Sequence, residues 1–197
     1  MPLLLALAMV WVGATILSHF LFNAADSMGA FCKGTSEDKL TPVNKGIDQD
    51  GRDFATSALC APTGLKVFAG RSYEIKITVA EPWEDAGRPT TPAGFRTSTI
   101  DLSNRWKFRG AILLRRILFR PWYRIIARVG ETGVDEYFLD PIPLPNTTPQ
   151  AYKATFKAAR SGELFLYVND AVIGLPWVYD SFYPNNGGKA KITVRLL

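Results

Sequence analysis

The sequence is nearly devoid of histidine and cysteine, which excludes several kinds of active site. The only histidine in its 197 residues is His19, inside an apolar segment. A domain folded from later residues therefore holds no Ser-His-Asp triad, no Cys-His dyad and no HExxH zinc site. Cys32 and Cys60 lack CxxC spacing, so they predict either one disulfide in an oxidising compartment or two free thiols in the cytosol. We therefore expect a protein that is not an enzyme.

Charge is absent from residues 3–22, LLLALAMVWVGATILSHFLF. About 20 apolar residues suffice to cross a bilayer as a helix. The alternative is a cleaved signal peptide, but the sequence provides no basic n-region and only a poor cleavage site. We predict a single-pass membrane anchor over residues 1–25. Its orientation stays open, although the first basic residue, Lys33, favours a cytoplasmic C-terminal side. The missing n-region also fits a chain that is the C-terminal part of a longer protein.

Acidic residues are missing from residues 105–130, where eight basic residues alternate with aromatic and aliphatic ones. Residues 109–119 predict a short amphipathic helix ending before Pro121, within a basic segment over 105–121. Nucleic acid, a membrane surface, and a sheet-covering helix with a solvated face are the three interpretations. Because an anchor precedes this segment, we predict contact with membrane lipid and no nucleic acid. The predicted membrane-surface residues are Arg109, Arg115, Arg116 and Arg120.

Strand patterns dominate the remainder of the chain. Residues 26–62 are rich in turn-forming and charged residues without a period, which predicts a linker. The following residues, 63–197, predict an all-β fold, an antiparallel β-sandwich of jelly-roll type preceded by one transmembrane helix and the linker. Alternation of apolar and polar residues is clearest over 73–79 and 189–196. The predicted strands are 65–68, 73–79, 97–102, 122–129, 136–139, 152–158, 163–168 and 189–196.

Three motifs give these residues a resemblance to a known family. They are YEIKITV followed by W and D.G, then RIIARVG, and finally GELFLYVNDA with FYPNNGGKAKITV. In this order they resemble the galactose-binding-like sandwich of PA-I-type bacterial lectins, over about residues 63–197. The resemblance implies a calcium ion that holds sugar hydroxyls, with Asp170, Asn185 and Asn186 at the ligand positions. The loop between Asp170 and Asn185 is longer than in those lectins, and their sugar-contacting histidine is missing.

The residues themselves leave two interpretations of this loop open. Carboxylate and amide oxygens are the donors that calcium prefers, which favours a metal site. Asn-Asp and Asn-Gly steps also form turns, because their side chains bond local backbone and tolerate left-handed conformations. Within the same loop, Asn169 and Asp180 are further candidates for ligand binding.

A second, looser resemblance comes from the segment LRR..FRPWYRIIARVG beside such a sandwich. It is similar to the C-terminal regions of large bacterial membrane-associated hydrolases of the phospholipase-effector-like type. We therefore expect a bacterial, membrane-anchored, non-catalytic binding module with calcium-dependent carbohydrate binding. The alternatives are an accessory or structural subunit of a membrane protein complex, or the non-catalytic C-terminal region of a larger hydrolase.

Overall fold

The computed structural model describes residues 2–101, 108–133 and 135–197. The chain begins with a helix, α1 (Pro2–Ser27), and continues into twelve described strands. One short 3-10 helix, Glu37–Lys39, lies between α1 and the first described strand, and two more, Thr97–Thr99 and Ile112–Leu114, lie between the sixth and the seventh. The strands are β1 (Thr41–Pro42), β2 (Gln49–Asp50), β3 (Phe54–Ala55), β4 (Ala61–Val67), β5 (Ser72–Asp85), β6 (Arg88–Thr90), β7 (Ile125–Val129), β8 (Glu136–Phe138), β9 (Ile142–Pro143), β10 (Ala151–Lys157), β11 (Gly162–Val168) and β12 (Asn186–Leu196).

The strands form two sheets, which confirms the predicted β-sandwich preceded by a helix. The smaller sheet has the order β1-β4-β11-β7-β8, and the larger has β2-β12-β5-β10-β9 with β3 on β12 and β6 on β5. All neighbours are antiparallel except β1 and β4. Alternating apolar residues put one face of each sheet into a shared core. Core residues include Tyr73, Ile75 and Ile77 of β5 and Leu164, Leu166 and Val168 of β11.

The outer face of the smaller sheet is also buried. Phe165 and Tyr167 point away from the core between the sheets, yet neither is exposed. Strands that are buried on both faces carry continuous apolar runs, which explains the sequences ELFLYV in β11 and IIARV in β7. The C-terminal turns of α1 cover this face, because Phe22 belongs to the core cluster and Asp26 bonds to Arg128 of β7.

Residues 26–62, predicted as a linker, are part of the sandwich. Their strands pair with β4 and β12, and Val43 and Phe54 are each 1% exposed. Cys32 and Cys60 form a disulfide. The prediction was wrong because these strands are only two residues long, too short for an alternating pattern to be visible in the sequence.

Two further local predictions were wrong. The strand predicted over 97–102 is a 3-10 helix at Thr97–Thr99, and its last residue lies outside the described part of the chain. The amphipathic helix predicted over 109–119 is a helical turn that ends at Gly110, followed by a 3-10 helix and irregular backbone. The backbone of Arg116 bonds instead to the carbonyl of Asp170, which ties this segment to the end of β11.

α1 is long and apolar enough over Leu5–Ser27 to cross a membrane, by length and composition, although a signal sequence passes the same test. Its first turns stand clear of the sandwich, whereas its last turns are packed against it. Contact is close at Gly174, where an added Cβ would lie 1.8 Å from the carbonyl oxygen of Ser18. Only glycine fits between the helix and this loop.

Candidate functional site

A cleft of about 490 Å³ opens at one end of the sandwich, where the turn after β5, the segment before β7 and the loop between β11 and β12 meet. Volumes of a few hundred Å³ are typical of small-molecule sites. Asp170, two residues after the end of β11, and Asn185, directly before β12, lie on opposite edges of one loop and both line this cleft. The residues that line it are Asp85, Ala86, Arg88, Pro89, Asp101, Phe108, Ala111, Trp122, Asp170, Ala171, Phe182 and Asn185.

Asp170 and Asn186 are joined at the floor of the cleft. The amide Nδ2 of Asn186 donates to Oδ2 of Asp170 at 2.9 Å, and the backbone N–H of Ala171 donates to Oδ1 at 2.7 Å. Both side chains are buried. The other amide atom, Oδ1 of Asn186, is buried and has no hydrogen-bond partner among the described residues. The two edges of the loop are thus joined by a hydrogen bond, with one oxygen left without a donor.

Asp85 is a second buried carboxylate that the sequence analysis missed. It ends β5 opposite Asn186, which begins β12. Its Oδ2 is buried and lacks a hydrogen-bond partner within the described ranges. Ala86 and Gly87 both have positive φ, as a two-residue hairpin turn into β6 requires. The Asp-Ala-Gly step is a turn signal that the sequence shows. The alternation of apolar and polar residues in β5 ends after Val79, however, so the sequence does not indicate that the strand continues to this turn.

Tyr123 joins the strand ends beneath the site. Its hydroxyl donates to the carbonyl of Glu84 at 2.5 Å, and the carbonyl of Gly187 lies 3.3 Å away. Its backbone N–H donates to the carbonyl of Asn169 at 2.8 Å. One residue therefore bonds to the ends of β5, β11 and β12, which fixes the spacing of the site's side chains.

The carboxyl groups of Asp85 and Asp170 are hard to ionise without a positively charged partner. Burial raises the pKa of Asp170 to about 7, and the charge of Asp85 contributes to the rise. Burial also raises the pKa of Asp85 to about 6, although the charge of Arg88 opposes this. A bound cation would reverse both effects, because it favours the ionised carboxylates and accepts the unpartnered oxygens as ligands.

We expect the calcium-free protein to become more stable as the pH falls from 8 to 5.5. Both carboxyls have folded pKa values above the unfolded value near 3.8, so the folded state binds more protons across this window. Each group adds about 1.4 kcal/mol per pH unit where only the folded form is protonated. Denaturant unfolding of the full chain in a chelator measures this trend, and Asp170→Asn should remove most of it. Stability that instead falls steadily from pH 7 would contradict these pKa values.

Aromatic rings form the wall opposite the carboxylates. Phe108 contacts Phe95 and Trp122 edge-on, with centroids 5.4 Å apart in both pairs. The indole Nε1 of Trp122 donates to Oγ1 of Thr97 at 3.1 Å. Arg88 lies over the ring of Phe95. The cleft therefore has a polar, oxygen-rich side and an apolar, aromatic side, which suits a ligand that has both kinds of surface.

Asn169 and Asp180, predicted to bind ligand, do not line the cleft. Asn169 is fully buried, its Oδ1 accepts from the N–H of Ile117 at 2.8 Å, and its Nδ2 donates to the carbonyl of Pro121 at 2.9 Å. It fastens the segment before β7 to the end of β11, so the prediction that it binds ligand is wrong. Asp180 is exposed, and its carbonyl accepts from the N–H of Tyr183 in a turn.

Two of the four predicted membrane-surface arginines are buried, which makes the prediction wrong for them. Arg116 donates to Oδ2 of Asp26 at 3.0 Å and lies 3.6 Å from the ring centre of Tyr167. Arg115, also buried, packs over Trp122. The sequence suggested a solvated basic face because the carboxylate that pairs with Arg116 lies ninety residues away. Arg109 and Arg120 are exposed, and their contact with lipid stays a prediction.

The donor set at the floor of the cleft fits a hard cation. Carboxylate and amide oxygens come from Asp85, Asp170, Asn185 and Asn186, and calcium takes 6 to 8 such ligands at flexible geometry. No group of three or more His, Cys, Asp or Glu side chains in the described ranges could hold a metal ion. A cation here would therefore depend on two carboxylates, with amides, backbone carbonyls, water or ligand oxygens completing its shell.

Comparison with known proteins gives similar solved structures but no sequence family. No protein-family model matches the chain, and no curated protein sequence matches it. The chain is similar to a solved structure described as the EclA N-terminal domain, a PllA-like lectin, at 17% identity and a TM-score of 0.44. The match covers 76% of this chain and 98% of that chain. This likeness concerns the backbone and not the side chains that line the cleft.

Proposed function

We propose that the protein is a non-catalytic, calcium-dependent carbohydrate-binding module held at a membrane by α1. One observation carries the proposal: two buried carboxylates and a buried amide converge at the floor of an open cleft, and two of their oxygens have no hydrogen-bond partner among the described residues. Buried polar atoms normally find a partner, and leaving one unpaired costs about 1–3 kcal/mol. A ligand that supplies positive charge would offset this cost.

Calcium is the cation that these donors favour. All the candidate ligands are oxygens, whereas zinc prefers nitrogen and sulfur. With each carboxylate bound through one oxygen, the side chains of Asp85, Asp170, Asn185 and Asn186 provide four ligands, about two to four fewer than calcium takes, so positions would remain open toward the cleft. Neighbouring hydroxyl groups of a sugar are suitable ligands for such positions, and the half-exposed rings of Phe108 and Phe182 offer apolar surface for the sugar ring.

Retention of α1 is the second part of the proposal. A signal peptide cleaved after the apolar segment would remove Phe22 from the core cluster and Ser18 from its contact with Gly174. It would also leave the new N-terminus at Asp26, which is bonded to two buried arginines. Segments that are removed after export rarely contribute buried residues to the mature core, so this packing supports a retained anchor.

Glycan binding by the full chain in detergent, with calcium or with a chelator, tests the proposal. We expect binding to a subset of immobilised glycans that the chelator abolishes and added calcium restores. Asp170→Asn should remove the signal, because it deletes a charged ligand at the cleft floor. The matched control is Asp180→Asn, which removes one charge from the same loop outside the cleft and should bind as the unmodified chain does. Binding that is equal in the chelator would contradict calcium dependence, and co-purification with a membrane complex without glycan binding would favour the accessory-subunit alternative.

A further inference from the structure

We propose that two apolar loops beside α1 insert into the same bilayer as the helix, with Trp177 as their interfacial anchor. The loops are residues 110–114 and 171–179, named here the collar. This inference rests on the membrane anchoring proposed above. Residues 110–114 fall within the stretch predicted as a basic amphipathic helix, but the structure makes them a short apolar loop beside α1. The proposed partner of the collar is lipid.

The collar is fastened to α1 by direct contacts. Ring nitrogen Nε2 of His19 lies 2.5 Å from the carbonyl oxygen of Leu113, and the N–H of Gly174 donates to Oγ of Ser18 at 2.7 Å. On one side, an apolar groove of about 340 Å³ lies between α1 and the collar. Its lining comes from Trp11, Ala14, Thr15, Leu17, Ser18 and Leu21 of the helix and from Leu114, Ile173 and Leu175 of the collar. The collar therefore lies alongside the helix and not merely at its end.

The apolar stretch of α1 extends to the level of the collar and beyond it. The helix is long and apolar enough to cross a membrane over Leu5–Ser27, and Ser18, which contacts the collar, lies within this stretch. Hydrocarbon that reaches this part of the helix also surrounds Leu175, Ile173 and Leu114, which line the groove beside it.

The collar carries apolar side chains that are exposed. Trp177 is 94% exposed, Leu175 is 54% exposed, and both follow the close contact at Gly174. Trp177 also has a positive φ of 67°, a strained backbone that non-glycine residues rarely adopt. An exposed tryptophan is unfavourable in water, but it is typical of the boundary between lipid headgroups and hydrocarbon.

The charge pattern agrees with lipid as the partner. Residues 171–179 and 110–114 contain no charged residue, so nothing in the collar opposes burial in hydrocarbon. The exposed Arg109 directly precedes residues 110–114, where a basic side chain favours anionic headgroups. Apolar tips with basic residues beside them are the pattern of segments that lie in the membrane interface.

Quenching of tryptophan fluorescence by brominated lipid tests the insertion. The full chain is reconstituted into vesicles of phosphatidylcholine and phosphatidylglycerol, with bromines at defined acyl depths. We expect shallow bromines to quench the unmodified chain more than Trp177→Phe, and iodide in water to quench both equally. Trp177 is exposed, so its replacement should leave the fold intact, and unchanged calcium binding by this variant checks that the cleft is unaffected.

Trp11→Phe separates the failure of the insertion from the failure of the anchor, because Trp11 lies in α1 itself. Bromine quenching that depends on both Trp11 and Trp177 supports the proposal. Quenching that depends on Trp11 alone, with Trp177 open to iodide, overturns the insertion and keeps the anchor. Trp177 shielded from both quenchers also overturns it and indicates a protein partner on the collar. Quenching that depends on neither tryptophan overturns anchor and insertion together.

Discussion

Replacing Asp26 with asparagine should lower the free energy of unfolding by about 3–5 kcal/mol, because it leaves two buried arginines without their counter-ion. Oδ1 of Asp26 accepts from Arg128 at 2.6 Å, and Oδ2 accepts from Arg116 at 3.0 Å. The arginine side chains are 0% and 2% exposed, so water cannot replace the lost carboxylate. Arg128 also donates to the carbonyls of Glu131 and Gly133, which places the loop after β7 in the same network.

Denaturant unfolding of the full chain in detergent measures this loss. The matched control is Asp140→Asn, which breaks the ion pair of Asp140 with Arg124 on the surface, where the Asp140 side chain is 80% exposed. Exposed pairs contribute about 1 kcal/mol or less, so the control should change little. Equal losses in the two variants would show that the network around Asp26 does not hold the end of α1 on the sandwich.

Replacing Asp170 with asparagine should weaken calcium binding by about 100-fold or more, which corresponds to at least about 2.7 kcal/mol. The change keeps the shape of the side chain but removes its charge at the floor of the cleft, where burial makes each charge matter more. The calcium-free variant should have a free energy of unfolding close to that of the unmodified chain, because the loss of one accepted hydrogen bond is offset by the removal of a carboxyl that burial makes hard to ionise. Loss of binding would then be separable from unfolding.

Equilibrium dialysis with radioactive calcium compares this variant with Asp180→Asn. Asp180 lies in the same loop and carries the same charge, but it is exposed and does not line the cleft. We expect the control to bind as the unmodified chain does. Equal weakening in both variants would mean that the net charge of the loop, and not a ligand position, controls calcium binding.

The strands that alternate in sequence are the ones that could be predicted. In β12 and in the first half of β5, one residue in two faces the core, so the pattern follows directly from the burial. The second half of β5 escaped prediction because three consecutive residues after Val79 are exposed, among them Pro82, and they interrupt the alternating pattern. Asp85 lies at the end of this hidden half, and the second carboxylate of the cleft was missed with it.

Contacts between residues that are far apart in the sequence could not be predicted from it. The sequence predicts that Arg116 lies on the surface, because its partner Asp26 comes beside it only when α1 packs on the sandwich. Asn169 and Asp170 are adjacent, yet one fastens a backbone segment and the other faces the cleft, because side chains alternate direction at the end of a strand. Asn169 thus bonds to backbone about fifty residues away and not to the local backbone that a turn would use, whereas the metal interpretation of Asp170 stays a prediction.

Calorimetric titration of calcium into the full chain, after removal of bound metal with a chelator, tests the central claim most directly. We predict saturable binding of one ion per chain at pH 7.5 and weaker binding at pH 5.5, because protons compete for Asp85 and Asp170. A rise in melting temperature should accompany saturation. No saturable heat and no change in melting temperature at pH 7.5 would contradict the claim that this cleft holds calcium.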